Sequence, residues 1–308
     1  MGPRAGAFPV RELVPGYRRG VHDDPAVRRY HDEVDGPEVE LPRGDVTEGV
    51  VRVGGTVRRP FQPQSLAVAG YLDHLERAGF PASPRYLGRD NKGRDVLTYL
   101  EGDVPGDPPQ RWAADDGLLA SVARLVRRLH EASWGYAADR HFAAPAGSAW
   151  GRDLVRVEVP IEDPTPELVS HGDVTPQNVA VRGGVAVGLL DFDLAGPTGR
   201  LLDVYNTAMH WVPLRPPEDI WPAWRGLVDQ AARLRLFADA YGLSAGQRAA
   251  LPELGIVRAE VSWLRMKAAA EQLGGGWARM WADGVGDAIR RRQAWLTARR
   301  GDFAVVLR

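Results

Sequence analysis

From Glu48 to Arg59 the chain reads EGVVRVGGTVRR, two β-branched runs broken by Gly54-Gly55, and this pattern predicts a hairpin. The period then changes. In QSLAVAGYLDHLERAGF, Leu66, Ala69, Leu72 and Leu75 recur at helical spacing, and Gly79 stops the run. RYLG and RDVLTYL predict two more strands around the turn Asp90-Asn91-Lys92-Gly93. The sum is a small, mostly antiparallel sheet carrying one helix.

Glu101-Gly102-Asp103, followed by the prolines up to Pro109, is the best hinge in the chain, and beyond it the pattern becomes mainly helical. DDGLLASVARLVRRLHEAS places Leu118, Val122, Leu125, Val126 and Leu129 on one stripe of an amphipathic helix. Two short apolar runs, NVAVR and VAVGLLDF, turn at Gly183-Gly184. Residues 218–300 predict three or so helices rich in Trp and Arg. The organisation expected is an N-terminal extension over residues 1–40, rich in Pro, Gly, Arg and Asp, a small lobe over 41–101 and a larger lobe over 102–308.

Composition narrows the chemistry. A chain of 308 residues that is 44% hydrophobic and 26% charged is an ordinary globular protein. A net charge of −1 argues against a broad nucleic-acid footprint or a basic membrane anchor, and the Arg-rich stretch 290–300 reads as a solvated helix face. With no stretch apolar enough for a signal peptide or a membrane span, a cytoplasmic location is expected. Cysteine is absent, so any metal must be held by oxygen or imidazole, which suits Mg²⁺.

The informative segment is Ser170-His171-Gly172-Asp173-Val174-Thr175-Pro176-Gln177-Asn178, followed by Gly188-Leu189-Leu190-Asp191-Phe192. Phosphoryl transfer needs an oriented acceptor hydroxyl and metal ions bridging the phosphates. Asp173 can accept the hydroxyl proton. Asn178, five residues on, can offer its carbonyl oxygen to Mg²⁺, and Asp191, at the end of the following hairpin, can bring a carboxylate to the same metal. Each piece alone is weak; the order, the spacing and the two intervening apolar runs carry the reading.

HGDVTPQN followed by GLLDFDLAGPTGRLLDV resembles the signature of the aminoglycoside phosphotransferase family, relatives of choline kinases and protein kinases. VARLVRRLHEAS is similar to the family's long helix, DVLTYLEG to the strand entering its hinge, and GDVTEGVVRV to its first strands, where a loop covers the phosphates. The resemblance covers roughly residues 44–210. It implies a two-lobed α+β fold of the protein-kinase type that binds ATP or GTP with Mg²⁺ and phosphorylates a small-molecule hydroxyl. It implies Asp173 as the catalytic residue, Asn178 and Asp191 as metal ligands, and Tyr99, Leu100 and Glu101 along the adenine. His171 and Asp203 take structural roles, bracing the catalytic loop.

The chain departs from the family where the phosphates are oriented. The third strand reads Val57-Arg58-Arg59-Pro60 where the family carries lysine, and the two lysines of the chain, Lys92 and Lys267, lie elsewhere. Arg58 is the expected substitute and Arg59 the second choice, because strand alternation lets only one face the nucleotide. The helix glutamate is missing too: Val68 or a neighbour stands in its place, and Asp73 and Glu76 lie later. Gly44 and Gly49 make a weak phosphate loop. A non-catalytic protein that sequesters a ligand is therefore the alternative, and starts like VTEGVVRV resemble relatives labelled immunity proteins against peptide toxins. A protein kinase is disfavoured because Ala195-Gly196 runs almost directly into Asp203-Val204. In the C-terminal helices Glu253, Glu260, Glu271, Asp283 and Asp287 are offset by Arg258, Arg265, Lys267, Arg279 and Arg290, so the pattern names no acceptor. Trp263, Trp277 and Trp281 read as helix packing before they read as a stacking platform.

Overall fold

The computed structural model describes residues 36–41, 49–62, 64–136 and 166–308; most of the N-terminal extension, and Gly44 of the glycine pair, lie outside them. The small lobe contains β1 (Val39–Glu40), β2 (Val51–Val53), β3 (Thr56–Arg59), helix α1 (Ser65–Arg77), β4 (Tyr86–Arg89) and β5 (Asp95–Thr98). Its strands form one antiparallel sheet in the order β1-β2-β3-β5-β4. The β2–β3 hairpin closes at Gly54-Gly55, with Val53 opposite Thr56.

Helix α1 differs from its expected stripe. Leu66 is 44% exposed, while Ala67, Val68 and Tyr71 join Ala69, Leu72 and Leu75 in the core. The reason is Tyr71, whose hydroxyl bonds Ser133 Oγ at 2.6 Å and the Val169 carbonyl at 3.0 Å, so the helix is turned toward the larger lobe as well as the sheet.

The larger lobe opens with α2 (Asp116–Ala132), whose first turn is capped by Asp115 accepting from the Leu118 N–H at 2.8 Å. All five residues of its expected stripe are fully buried. Four strands follow: β6 (Leu168–Ser170), β7 (Val179–Arg182), β8 (Val185–Leu189) and β9 (Gly196–Thr198). β7 and β8 form a hairpin, and β6 pairs with β9. The hinge is stitched to this region, because Asp103 and Val181 exchange both backbone hydrogen bonds at 2.8 Å.

The remainder is helical: α3 (Arg200–Trp211), α4 (Gln230–Tyr241), α5 (Ala245–Gln272), α6 (Gly275–Ala282) and α7 (Val285–Val306). Trp263, Trp277 and Trp281 pack on a second small core of Ala259, Met266 and Ile289, so these rings hold helices together. No helix among the described residues is long and apolar enough to cross a membrane.

Candidate active site

β6 ends at Ser170, and the loop from His171 to Thr175 leads through one short turn, Pro176–Asn178, into β7. This loop is held by its own polar groups. His171 is fully buried, and burial lowers its basicity, leaving a neutral imidazole. Its Nε2–H donates to the Leu190 carbonyl at 2.7 Å, while Nδ1 accepts from the Asp173 N–H at 3.2 Å. One ring therefore connects the Asp173 loop to the residue preceding Asp191. Gly172 makes the approach possible: it sits at φ +78°, and a Cβ there would lie 2.5 Å from the Leu194 carbonyl oxygen.

Asn178 completes the convergence. Its Nδ2 donates to the Asp173 carbonyl at 3.0 Å and to Asp173 Oδ2 at 2.8 Å, which leaves Oδ1 as the end suited to a cation. The Leu190 N–H donates to the Asn178 carbonyl at 2.8 Å. Asp173 and Asn178 are thus hydrogen-bonded to each other, and Leu190, next to Asp191, is tied to Asn178.

Asp191 is the one non-glycine residue at positive φ among the described residues, at 55°. Such a conformation costs on the order of 1–2 kcal/mol and is maintained where a side chain must be aimed. The Asp191 carboxyl, 46% exposed, is pushed up to about 6 by desolvation and by neighbouring Asp193, against the pull of Arg59.

The two arginines of β3 face different carboxylates. Arg58 is buried on the far side of β3, where its Nε lies 3.7 Å from the buried Asp90 and Nη1 bonds Thr56. Arg59 is the arginine that reaches the site: it pairs with Asp193, and its Nη1 lies 3.6 Å from Asp191 Oδ1. A carboxylate also lies across the sheet from Arg59. Asp95 sits opposite Arg59 across β3 and β5 and is buried, and burial raises its carboxyl above the ordinary range. It accepts from Ser65 at the start of α1 and lies 3.7 Å from Arg89. Neither Asp95 nor Asp193 emerges from sequence reasoning; the only signal for Asp193 is its place two residues after Asp191.

Tyr99, Leu100 and Glu101 form the link between lobes. The Tyr99 N–H bonds the Gly55 carbonyl at 2.9 Å, and Arg52 stacks 3.7 Å above the Tyr99 ring while pairing with Glu101 at 2.7 Å. Leu100 packs so closely on Gly188 that a Cβ there would meet it at 2.8 Å. Asp203, on α3, lies beneath the end of β6 that leads into the His171–Thr175 loop. Burial alone would raise its carboxyl, but bonds from His130 Nε2 at 3.0 Å and Ser170 Oγ at 2.8 Å hold it below the ordinary range. His130 Nδ1 faces the Tyr241 hydroxyl at 2.7 Å, which extends the brace to α4.

Among the described residues no three His, Cys, Asp or Glu side chains cluster as a metal cage. The oxygen donors present, Asn178 Oδ1 and Asp191, fit a cation that takes its remaining ligands from phosphate and water, as Mg²⁺ does.

A two-lobed α+β fold with this convergence defines the kinase-like class. The chain belongs to the phosphotransferase enzyme family, whose model matches residues 43–238. A curated relative, the trifolitoxin immunity protein of Rhizobium leguminosarum bv. trifolii, is 31% identical over 208 residues, covering 65% of this chain and 72% of the relative. Among solved structures, aminoglycoside 2'-phosphotransferase-IIIa in its GDP complex is 13% identical with a TM-score of 0.54, over 85% of this chain and 94% of that one. A choline/ethanolamine kinase family protein from Mesorhizobium loti is 17% identical with a TM-score of 0.50, over 90% of this chain and 94% of that one. Amicoumacin kinase hAmiN in complex with AMP-PNP, Ca²⁺ and Ami is 11% identical with a TM-score of 0.52, over 88% and 90%. At these identities the solved structures establish the fold.

Proposed function

We propose that the protein is a nucleoside-triphosphate-dependent phosphotransferase acting on the hydroxyl of a small molecule. The observation that carries this reading is the Asp173–Asn178 hydrogen bond, tied through the Leu190 N–H to the position before Asp191, with Arg59 beside Asp191. Asp173 orients the acceptor hydroxyl and takes its proton, and its position is set by the Asn178 amide and by His171. Asn178 Oδ1 and Asp191 hold Mg²⁺, which supplies charge neutralisation at the phosphates. Arg59 reaches the phosphates in the place of a lysine; its planar fork offers two parallel donors where an ammonium offers a point charge. Tyr99, Leu100 and Glu101 receive the base at the hinge.

Calorimetric titration with ATP and GTP, with and without Mg²⁺, tests this directly. Wild-type protein should bind in a metal-dependent manner, and Asp191→Ala should bind at least tenfold more weakly. Equal affinity in both proteins, or no binding of either nucleotide, sinks the assignment.

A second reading is favoured by one finding, the relative named as an immunity protein. In that reading the same fold sequesters a toxic ligand without turnover. Protection measured against protein concentration separates the two: a sequestering protein neutralises its ligand mole for mole, whereas an enzyme clears an excess.

A further inference from the structure

The end of α2 opens onto a cavity of about 440 Å³ that shares no residue with the candidate active site. Arg127 and Glu131 line it from α2, Trp134 from the turn that follows, Arg200 from the first position of α3 and Gln247 from the first turn of α5. Glu131 is occupied by Arg127, whose Nε donates to it at 2.6 Å. The other polar groups of the wall are donors with little to donate to. Arg200 forms no ion pair among the described residues, and its guanidinium makes one long hydrogen bond, from Nη1 to the Tyr241 hydroxyl at 3.4 Å. Gln247 uses its Oε1 to cap α5, accepting from the Ser244 N–H at 2.9 Å, and its Nε2 is unmatched among the described residues. Trp134 is 70% exposed and makes no ring contact with any described residue. An isolated exposed tryptophan needs no explanation. Beside an unmatched guanidinium and a free amide in a concave site, it supplies a stacking face next to charge-assisted donors.

Tyr241, the last residue of α4, is 2% exposed and lies against both arginines. The Arg127 guanidinium is 5.6 Å from its ring centroid, and Arg200 reaches its hydroxyl. That hydroxyl is 2.7 Å from His130 Nδ1. His130 Nε2 donates in turn to Asp203 at 3.0 Å, the carboxylate that accepts from Ser170 at 2.8 Å. A continuous run of hydrogen bonds therefore leads from Arg200 at the cavity wall to Ser170, immediately before the His171–Thr175 loop.

We propose that this cavity is an effector site for a small planar monoanion, an aromatic ring bearing a carboxylate, with the ring on Trp134 and the acid group held by Arg200 and Gln247. The wall carries two guanidinium groups and one carboxylate, a surplus of a single positive charge that a monoanion matches. The volume lies at the small end of the roughly 300–1,000 Å³ typical of ligand pockets, which suits one ring or two fused rings. Occupancy draws the Arg200 fork from a neutral phenol to an anion, and Tyr241, His130 and Asp203 carry the change to Ser170. The binding site stands by itself; its control of turnover rests on the phosphotransferase reading above.

Fluorine NMR of protein labelled with 5-fluorotryptophan, titrated with 2-naphthoate at constant ionic strength, tests the site, with Trp134→Phe assigning the resonance. The Trp134 signal should shift saturably, and 2-naphthamide, the neutral isostere, should bind at least tenfold more weakly. Arg200→Gln should lower naphthoate affinity at least tenfold. Histidine-ring NMR reads the transmission: the His130 signal should follow the same saturation curve in wild-type protein. It should stay still in Tyr241→Phe, which keeps the ring and loses the hydroxyl, while the Trp134 signal still shifts. Trp134→Ala, at an exposed position that the fold does not depend on, should abolish the His130 response. Naphthoate should change Mg²⁺-nucleotide affinity by about fivefold or more in wild type and leave it unchanged in Tyr241→Phe. Asp191→Ala should keep the full naphthoate response while losing Mg²⁺-nucleotide, which separates failure of this site from failure of the kinase reading. No saturable Trp134 shift in wild type, equal binding of acid and amide, or undiminished affinity in Arg200→Gln overturns the site. A His130 signal that is silent, or that responds equally in Tyr241→Phe, overturns the transmission, and an unchanged nucleotide affinity in wild type overturns the effector role.

Discussion

Gly172→Ala isolates what holds the catalytic loop against the Asp191 loop. The substitution carries two costs. An alanine at φ +78° pays about 1–2 kcal/mol for the left-handed conformation. Its Cβ would also lie 2.5 Å from the Leu194 carbonyl oxygen, a backbone atom that moves only if the turn after Asp191 moves with it. Overpacking of that kind adds about 1–3 kcal/mol. Gly183→Ala is the matched control: at φ +57° it meets nothing within 4 Å, so only the conformational cost of about 1–2 kcal/mol applies. Urea unfolding of both variants should therefore show Gly172→Ala less stable than Gly183→Ala by about 1–3 kcal/mol. Mg²⁺-nucleotide binding should fall at least tenfold in Gly172→Ala alone, because the displaced segment carries Asp191, the proposed metal ligand. Equal destabilisation in the two variants, with nucleotide affinity intact, would refute the reasoning.

Arg58→Met removes the buried partner of Asp90 and should cost about 2–4 kcal/mol in urea unfolding, while Arg59→Met should mainly weaken Mg²⁺-nucleotide in calorimetry. Asp203→Ala leaves His130 and Ser170 buried without their shared acceptor, with an expected loss of about 2–4 kcal/mol and a fall in turnover that added Mg²⁺ does not restore. His210 is held down at about 3 from an unfolded value of 6.5 by burial, Arg215, Arg292 and Arg258. Between those values the unfolded chain binds the extra proton, so stability is complete above 6.5 and declines as pH falls toward 3. The slope of unfolding free energy against pH in that window should be shallower in His210→Gln than in wild type; identical slopes would contradict it.

Much of this molecule could be read from period and spacing. The Gly54-Gly55 hairpin, the stripe of α2 and the path from His171 to Asp191 are local patterns, and local patterns survive without knowledge of the fold. Choosing between Arg58 and Arg59 was not of this kind. Both arginines are buried, so alternation of polarity along β3 carried no information about its two faces, and only pairing with β2 and β5 decided the matter. The carboxylate opposite Arg59 was illegible for a related reason: it arrives from β5, a strand distant in sequence. His130 and Asp203 lie 73 positions apart and meet only because helices pack; no motif spans such a distance.

The arginine on β3 has a practical consequence for discovery chemistry. Acyl-phosphate and sulfonyl-fluoride nucleotide reagents mark kinases by acylating or sulfonylating the ε-amine that touches the phosphates. In the proposed site the group in that position is the Arg59 guanidinium, which stays protonated at every accessible pH and is a poor nucleophile. The nearest alternative amine along the chain, Lys92, is tied to Glu38 at 2.7 Å in the turn between β4 and β5, and Lys267 lies on α5. On the proposed binding mode, proteomic surveys that enrich nucleotide-binding enzymes through that covalent tag will pass over this protein and over any relative that shares the substitution.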